Sequence, residues 1–140
     1  MLEVTESALE GSSEQAVSAL STLRTFGVRV ALDNFGTGYS SLSRLDRLPV
    51  DIVKIDRSFV MTLPPDTTRA PLVAAIIAMA GAMGMRVVAE GIEAPHQAKL
   101  LENLGCDEGQ GYWLGRPLPA HQVDLSRRVT AGGAQTSLTA

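Results

Sequence analysis

The sequence predicts an α/β fold. Three observations predict it: helical and β-branched segments alternate along the chain, the strands are short and nearly all apolar, and a polar residue stands where each strand ends. Alternation calls for parallel strands, because parallel neighbours need a long return connection and a helix supplies it. Near-continuous apolar strands such as Arg86-Val87-Val88-Ala89 suit a sheet packed on both faces.

The elements follow in order. Leu2 to Glu6 reads as the last residues of a strand. Ser12 with Gln15 three residues later is a capping-box pattern, Val17, Leu20 and Leu23 share a helical face, and Gly27 supplies the stop. Val28 to Leu32 is a β-branched strand that runs into Asp33, Asn34 and the loop Gly36-Thr37-Gly38. A short helix around Ser41 to Leu48, a strand from Asp51 to Ile55 and a long apolar helix from about Pro71 to Met83 come next. A strand from Arg86 to Ala89 precedes a helix opened by Pro95 and closed by Gly105. A short strand at Gly109 to Trp113 and a helix around His121 to Val129 complete the pattern. Residues 1–130 read as one domain and the Gly/Ser/Thr/Ala-rich residues 131–140 as a disordered tail.

Composition narrows the class. At 140 residues and 45% hydrophobic, the chain has room for one core and not two. Its net charge of −3 is spread without a basic stripe, which argues against long nucleic acid as a partner and leaves small anionic ligands open. The single cysteine, Cys106, excludes an internal disulfide, and no charged segment followed by an apolar run opens the chain, so a cytoplasmic setting is expected. The apolar run Leu72 to Met85 falls short of a membrane span of ~20 residues and reads as a buried helix.

Glu3, Asp33, Lys54, Glu90 and Gln110 each fall where a strand ends. In a (β/α) barrel those ends converge on one face, where active sites of this fold are built. Three of the five are carboxylates, hard oxygen ligands suited to Mg²⁺ or Mn²⁺, and no His/Cys cluster competes for a softer metal. Plainer readings stand beside this one. Asp33-Asn34 before Gly-x-Gly is ordinary turn chemistry, and Lys54 could snorkel or pair with a carboxylate. Glu90 and Glu93 could favour a helix N-terminus, Gln110 could be a loop amide, and His96 and His121 read as solvated.

Taken in order, the segments LEVTE (2–6), LDNFGTGYSSL (32–42), VDIVKIDRSFV (50–60), VVAEGIE (87–93) and GQGYWLGRPLP (109–119) resemble the EAL domain family. The likeness runs from Leu2 to about Val129. It implies that the chain is the C-terminal portion of a TIM-like (β/α) barrel, incomplete here, whose full site carries two Mg²⁺ or Mn²⁺ ions and hydrolyses cyclic di-GMP to pGpG. Carried onto this chain, it makes Glu3 and Asp33 metal ligands, with Asn34 at a further ligand position. Lys54 becomes the lysine beside the attacking water, Glu90 the glutamate near the second ion and Gln110 the support of the catalytic water. Glu6 would hold the loop containing Gly36, Thr37 and Gly38, Glu93 would back the site, and Tyr112, Arg116 and Pro117 would contact substrate.

Departures from the family pattern qualify these expectations. Asn34 stands where the family usually has a second aspartate, so a neutral amide replaces an anionic ligand. The Glu-Ala-Leu signature and an asparagine ligand, which precede LEVTE in the family, are absent, and a full barrel runs to about 250 residues. The chain alone is therefore expected to be weak or inactive as a phosphodiesterase, the alternative being a module that binds cyclic di-GMP or a protein partner without catalysis. Its exposed edges are expected to favour a homodimer or a complementary N-terminal half.

Overall fold

The computed structural model describes residues 1–6, 8, 14–36, 45–46, 48–63, 70–122, 127–129 and 135–137. A five-stranded parallel sheet forms its centre, built from β1 (Leu2–Thr5), β2 (Val30–Phe35), β3 (Ile52–Ile55), β4 (Arg86–Glu90) and β5 (Glu108–Gln110) in sequence order. Helices α1 (Glu14–Thr25), α2 (Arg57–Met61), α3 (Pro71–Ala82) and α4 (Pro95–Asn103) alternate with the strands. This is the α/β architecture the alternation predicts.

Register divides the sheet into two faces. Cα partners such as Leu2↔Val30, Leu32↔Val53, Ile55↔Ala89 and Lys54↔Val88 point their side chains the same way, and alternation does the rest. Val30, Leu32, Val53, Ile55, Val87 and Ala89 share one face and belong to the main core with Val73, Ile76, Ile77 and Ala80 of α3 and Ala98, Leu100 and Leu101 of α4. The opposite face carries Glu3, Asp33, Lys54, Glu90 and Gln110. The helices therefore cover one side of the sheet, and its polar side chains gather on the other.

One irregularity decides where β2 aims its residues. Between Leu32↔Val53 and Phe35↔Ile55 the register shifts, so β2 uses one more residue than β3 over the same span. Asn34 absorbs it with φ of 57°, a left-handed conformation that asparagine tolerates better than most residues. The bulge lets Asp33 stay on the polar face while Phe35, 7% exposed, turns into the core. A strand without the bulge would put both on the same side.

Several boundaries differ from the sequence expectation. Strand β2 runs through Asp33 and Asn34 to Phe35 instead of ending before them, because the bulge keeps the ladder going. Helix α2 was not foreseen, although its cap is readable: Asp56 accepts a hydrogen bond from the Ser58 amide at 2.9 Å. Strand β5 ends at Gln110, and Tyr112 and Trp113 lie in turns, since the Trp113 amide donates to Ile92 O instead of to a sheet partner. The helix expected around His121 to Val129 is reduced to a 3₁₀ turn, Ala120–Gln122, followed by an antiparallel pair of β6 (Arg127–Val129) with β7 (Gln135–Ser137). His96, expected to be solvated, is half-buried with Nε2 3.2 Å from Leu63 O. The Ser12 cap, most of the 41–48 helix, Thr37 and Gly38 lie outside the described residues. No helix among the described residues is long and apolar enough to cross a membrane.

Candidate active site

The polar face is organised around one ammonium group. Lys54 Nζ lies 3.0 Å from Glu3 Oε1, 3.1 Å from Asp33 Oδ1 and 2.7 Å from Glu90 Oε1. Gln110 Nε2 donates to Glu90 Oε1 at 2.6 Å. Five neighbouring strands thus each deliver one polar side chain to a single cluster, as the positions of these residues at the strand ends suggest. The structure brings all five together.

Electrostatics hold the cluster. The Lys54 side chain is 7% exposed, and burial alone would discharge it. The contacts with Glu90, Glu3 and Asp33 outweigh that burial and raise its pKa above the ordinary 10.5, so the ammonium stays charged. Of the two plain readings of Lys54, pairing with carboxylates is the one observed, and snorkelling is not. Asp33 Oδ1 is buried and sits beside the ammonium without a directed hydrogen bond, so it shares that charge with Glu3 and Glu90 and its lone pairs are not fully used.

The surroundings are held by backbone contacts. Glu6 is 4% exposed and its Oε2 accepts from the Gly36 amide at 3.0 Å, tying β1 to the turn that follows the bulge. Gly36 itself has φ of 94°, and a side chain there would meet the Phe59 ring at 2.9 Å. Beyond β4, Gly91 has φ of 72° and packs on Arg57, where an added Cβ would lie 2.5 Å from the Arg57 Cβ. Gln97, buried in α4, accepts from the amides of Glu93 and Ala94 through Oε1 and donates to Val60 O through Nε2. Sequence reasoning missed Gln97. Its signal was available, since it stands at the third helical position behind Pro95, where a side-chain amide can reach back to the cap.

A cavity of about 510 Å³ opens beside the cluster, reaching from Glu90 and Gln110 past Arg57 and Glu93 to Tyr112 and Arg116. Arg116 stacks on the Tyr112 ring with its guanidinium carbon 4.8 Å from the centroid, and Pro117 closes that side. Tyr112, Arg116 and Pro117, expected as substrate contacts, therefore flank the Lys54 cluster without joining it. Glu93 lines the cavity and does not touch the cluster.

All the donors of the cluster are oxygens, apart from the ammonium and the Gln110 amide nitrogen, which suits a hard divalent cation. Asp33 Oδ1, buried and short of a directed donor, is the atom best placed to take one. Yet among the described residues no three acidic, His or Cys side chains stand ready to hold an ion, because the carboxylates are drawn onto Lys54 instead.

A one-sided parallel sheet of this order, with charged side chains converging at the carboxyl ends of its strands, matches a segment of a (β/α) barrel, a fold that builds its active sites at that mouth. The chain belongs to the EAL domain family, whose model matches residues 1–117. It is 48% identical over 118 residues to the cyclic di-GMP phosphodiesterase NbdA of Pseudomonas aeruginosa, covering 84% of this chain and 15% of that protein. Among solved structures it matches the PaMucR phosphodiesterase in complex with c-di-GMP, with a TM-score of 0.79 and 45% identity over 86% of this chain and 49% of the other. BlrP1 of Klebsiella pneumoniae, solved with cyclic di-GMP and calcium or manganese, matches at a TM-score of 0.71 and 33% identity over 82% of this chain and 29% of the other. The chain thus spans about half of the PaMucR structure and a smaller share of the curated relatives.

Proposed function

We propose that this chain carries the catalytic face of a cyclic di-GMP phosphodiesterase, which opens the cyclic dinucleotide to the linear pGpG. The observation that carries the reading is the convergence of Glu3, Asp33 and Glu90 on the single cation of Lys54, with Gln110 bound to Glu90. Hydrolysis forms a bond between a water oxygen and phosphorus and breaks the bond to a 3′ oxygen, which leaves with a proton. Lys54 cannot be the base, because its contacts keep it protonated. Its role is to set a fixed positive charge where negative charge builds on the phosphoryl oxygens. Glu90 is held at Oε1 by both Lys54 and Gln110, which leaves Oε2 to orient the attacking water and receive its proton. Glu3, Asp33 and the neighbouring Asn34 are the residues that would hold Mg²⁺ or Mn²⁺. Such an ion, when bound, supplies Lewis acidity and a hydroxide at neutral pH.

One feature favours a second reading, in which the site binds the dinucleotide without cleaving it. Asn34 offers a neutral amide beside Asp33, and Glu3, Asp33 and Glu90 already engage the ammonium of Lys54. Titration of cyclic di-GMP into the chain in Ca²⁺, followed by a product assay in Mn²⁺, separates the two. Binding followed by pGpG release supports hydrolysis, with Glu90→Gln lowering turnover by a factor of about 100 or more. Binding without product establishes the second reading, and absence of binding refutes both.

A further inference from the structure

Glu90 holds its carboxylate between Lys54 of β3 and Gln110 of β5, yet the sheet supports its backbone on one side only. Toward β5 it is paired in register with Gln110. Toward β3 the ladder stops one residue earlier, at Ile55↔Ala89. The following residue, Gly91, has φ of 72°, so the chain turns directly behind the carboxylate. Whatever fixes the segment 91–94 therefore fixes Glu90 on the side of β3.

That segment is tied in two directions. Toward β5, the Ile92 amide donates to Gln110 O at 3.1 Å and Ile92 O accepts from the Trp113 amide at 3.0 Å. Toward β3 it rests on α2, which follows β3 through the Asp56 cap. Gly91 packs on Arg57, and Val60 stands one turn further along α2. Val60 O, which also accepts from the Leu63 amide, accepts from Gln97 Nε2 at 3.2 Å. Gln97 Oε1 in turn accepts from the amides of Glu93 and Ala94 at 2.8 and 3.0 Å. Gln97 is 6% exposed, so these three bonds lie out of water, where an unmade partner is costly.

Helix capping accounts for half of this arrangement. Ala94 has no side-chain oxygen, so Gln97 Oε1 serves the amides that open α4. Capping does not use Nε2, which reaches a carbonyl 37 residues away in sequence. Resting on the reading of Glu90 as the group that orients the attacking water, we propose that Gln97 is a positioning residue. Its amide bridges the exits of β3 and β4 on the helix side of the sheet, and so sets the separation across which Lys54 and Glu90 meet at 2.7 Å on the other side. Its hydrogen bonds reach no member of the Lys54 cluster. A carboxylate cannot replace it: both amide contacts would survive, but an acceptor would face the Val60 carbonyl.

The test separates bridge from cap. Gln97→Glu keeps the cap and removes the bridge, whereas Gln97→Met removes both; work at about pH 8 keeps a carboxyl that accepts from two amides ionised. The reporter is the Gln110 side-chain amide, which donates to Glu90 Oε1 and is followed by ¹⁵N NMR of the full chain. In both variants its resonances are expected to move toward those of a free glutamine, and kcat for cyclic di-GMP in Mn²⁺ to fall by about tenfold or more with KM within about twofold. If Gln97 only caps α4, Gln97→Glu leaves the Gln110 signal and kcat as they are in the unaltered chain, and the proposal is overturned while the phosphodiesterase reading stands. A check on the unaltered chain needs no folded variant: the Gln97 side-chain NH₂ should exchange with solvent at least about tenfold more slowly than a free glutamine amide, and exchange at the free rate overturns the bridge. A displaced Gln110 signal in a chain that releases no pGpG overturns the hydrolytic reading alone and leaves Gln97 as the residue that places Glu90.

Discussion

Replacing Lys54 with methionine removes the one cation that three carboxylates share. Breaking a buried ion pair by deleting one partner leaves an uncompensated charge and costs about 3–5 kcal/mol. Here the partners are unequal: the Glu3 side chain is 44% exposed, Asp33 23% and Glu90 16%. Water screens Glu3 and reduces its share, so the penalty falls on Asp33 and Glu90, and a net loss of about 2–4 kcal/mol is expected. With a urea m-value of about 1–3 kcal/mol per molar, the midpoint of unfolding at pH 7 should fall by roughly 1–2 M. Methionine is close to lysine in volume, so little of the loss comes from a cavity.

The pH dependence isolates the electrostatic cause. The folded-state pKa of Lys54 lies above 10.5, so its contribution is fully present below pH 10.5 and is lost only as the pH rises through the folded value. Between pH 5 and 9 the unaltered chain keeps that contribution whole. In the variant that contribution is absent, so its deficit stays constant from about pH 6 to 8 and narrows only above pH 10.5, where the unaltered chain begins to lose the same contribution. Urea unfolding followed by circular dichroism at about pH 6, 7 and 11 measures both effects. A midpoint at pH 7 within about 0.5 M of the unaltered chain, or a deficit as large at pH 11 as at pH 7, would refute the claim that the Lys54 charge holds the cluster.

Two further outcomes follow from packing and burial. Gly111→Ala places a methyl group on the backbone of Ile92, whose amide donates to Gln110 O and whose carbonyl accepts from Trp113, so β5 must move away from β4. The expected cost is about 1–3 kcal/mol in urea, with loss of the Gln110 to Glu90 hydrogen bond; an unchanged midpoint would show that the Ile92 segment yields freely. Burial pushes the Cys106 thiol up to about 11, and its Sγ donates a hydrogen bond to the Glu108 carbonyl oxygen at 3.2 Å. At pH 8 about one thiol in a thousand is then ionised, and a thiol reagent should label the folded chain at least tenfold more slowly than the urea-unfolded one; equal rates would contradict the burial.

Sequence and structure agree most closely where periodicity is strong. Five polar residues spaced along the chain looked unrelated except that each ended a strand, and parallel register alone was enough to bring Glu3, Asp33, Lys54, Glu90 and Gln110 onto one face. The apolar helix ending before Gly84 was equally readable, with Val73, Ile76, Ile77 and Ala80 buried at helical spacing. What resisted reading was anything set by contacts distant in sequence. Whether Asp33-Asn34 formed a turn or continued a strand depended on the pairing of Phe35 with Ile55, which no local pattern encodes. Arg57 passed unnoticed for a similar reason, since nothing in Asp56-Arg57-Ser58 says that Gly91 will lie against it.

The bulge at Asn34 shows how a local and a distant constraint can fall on the same residue. Position 34 has to take a left-handed backbone so that Asp33 meets Lys54 while Phe35 enters the core. Asparagine and aspartate both reach that conformation, so the fold does not choose between them. The choice is electrostatic. A second anion here would add to Glu3, Asp33 and Glu90, which already share one ammonium, and among the described residues no other cation pairs with those three carboxylates. Asn34 satisfies the backbone and leaves the cluster closer to neutral. The exchange favours a stable cluster over avid capture of an additional cation.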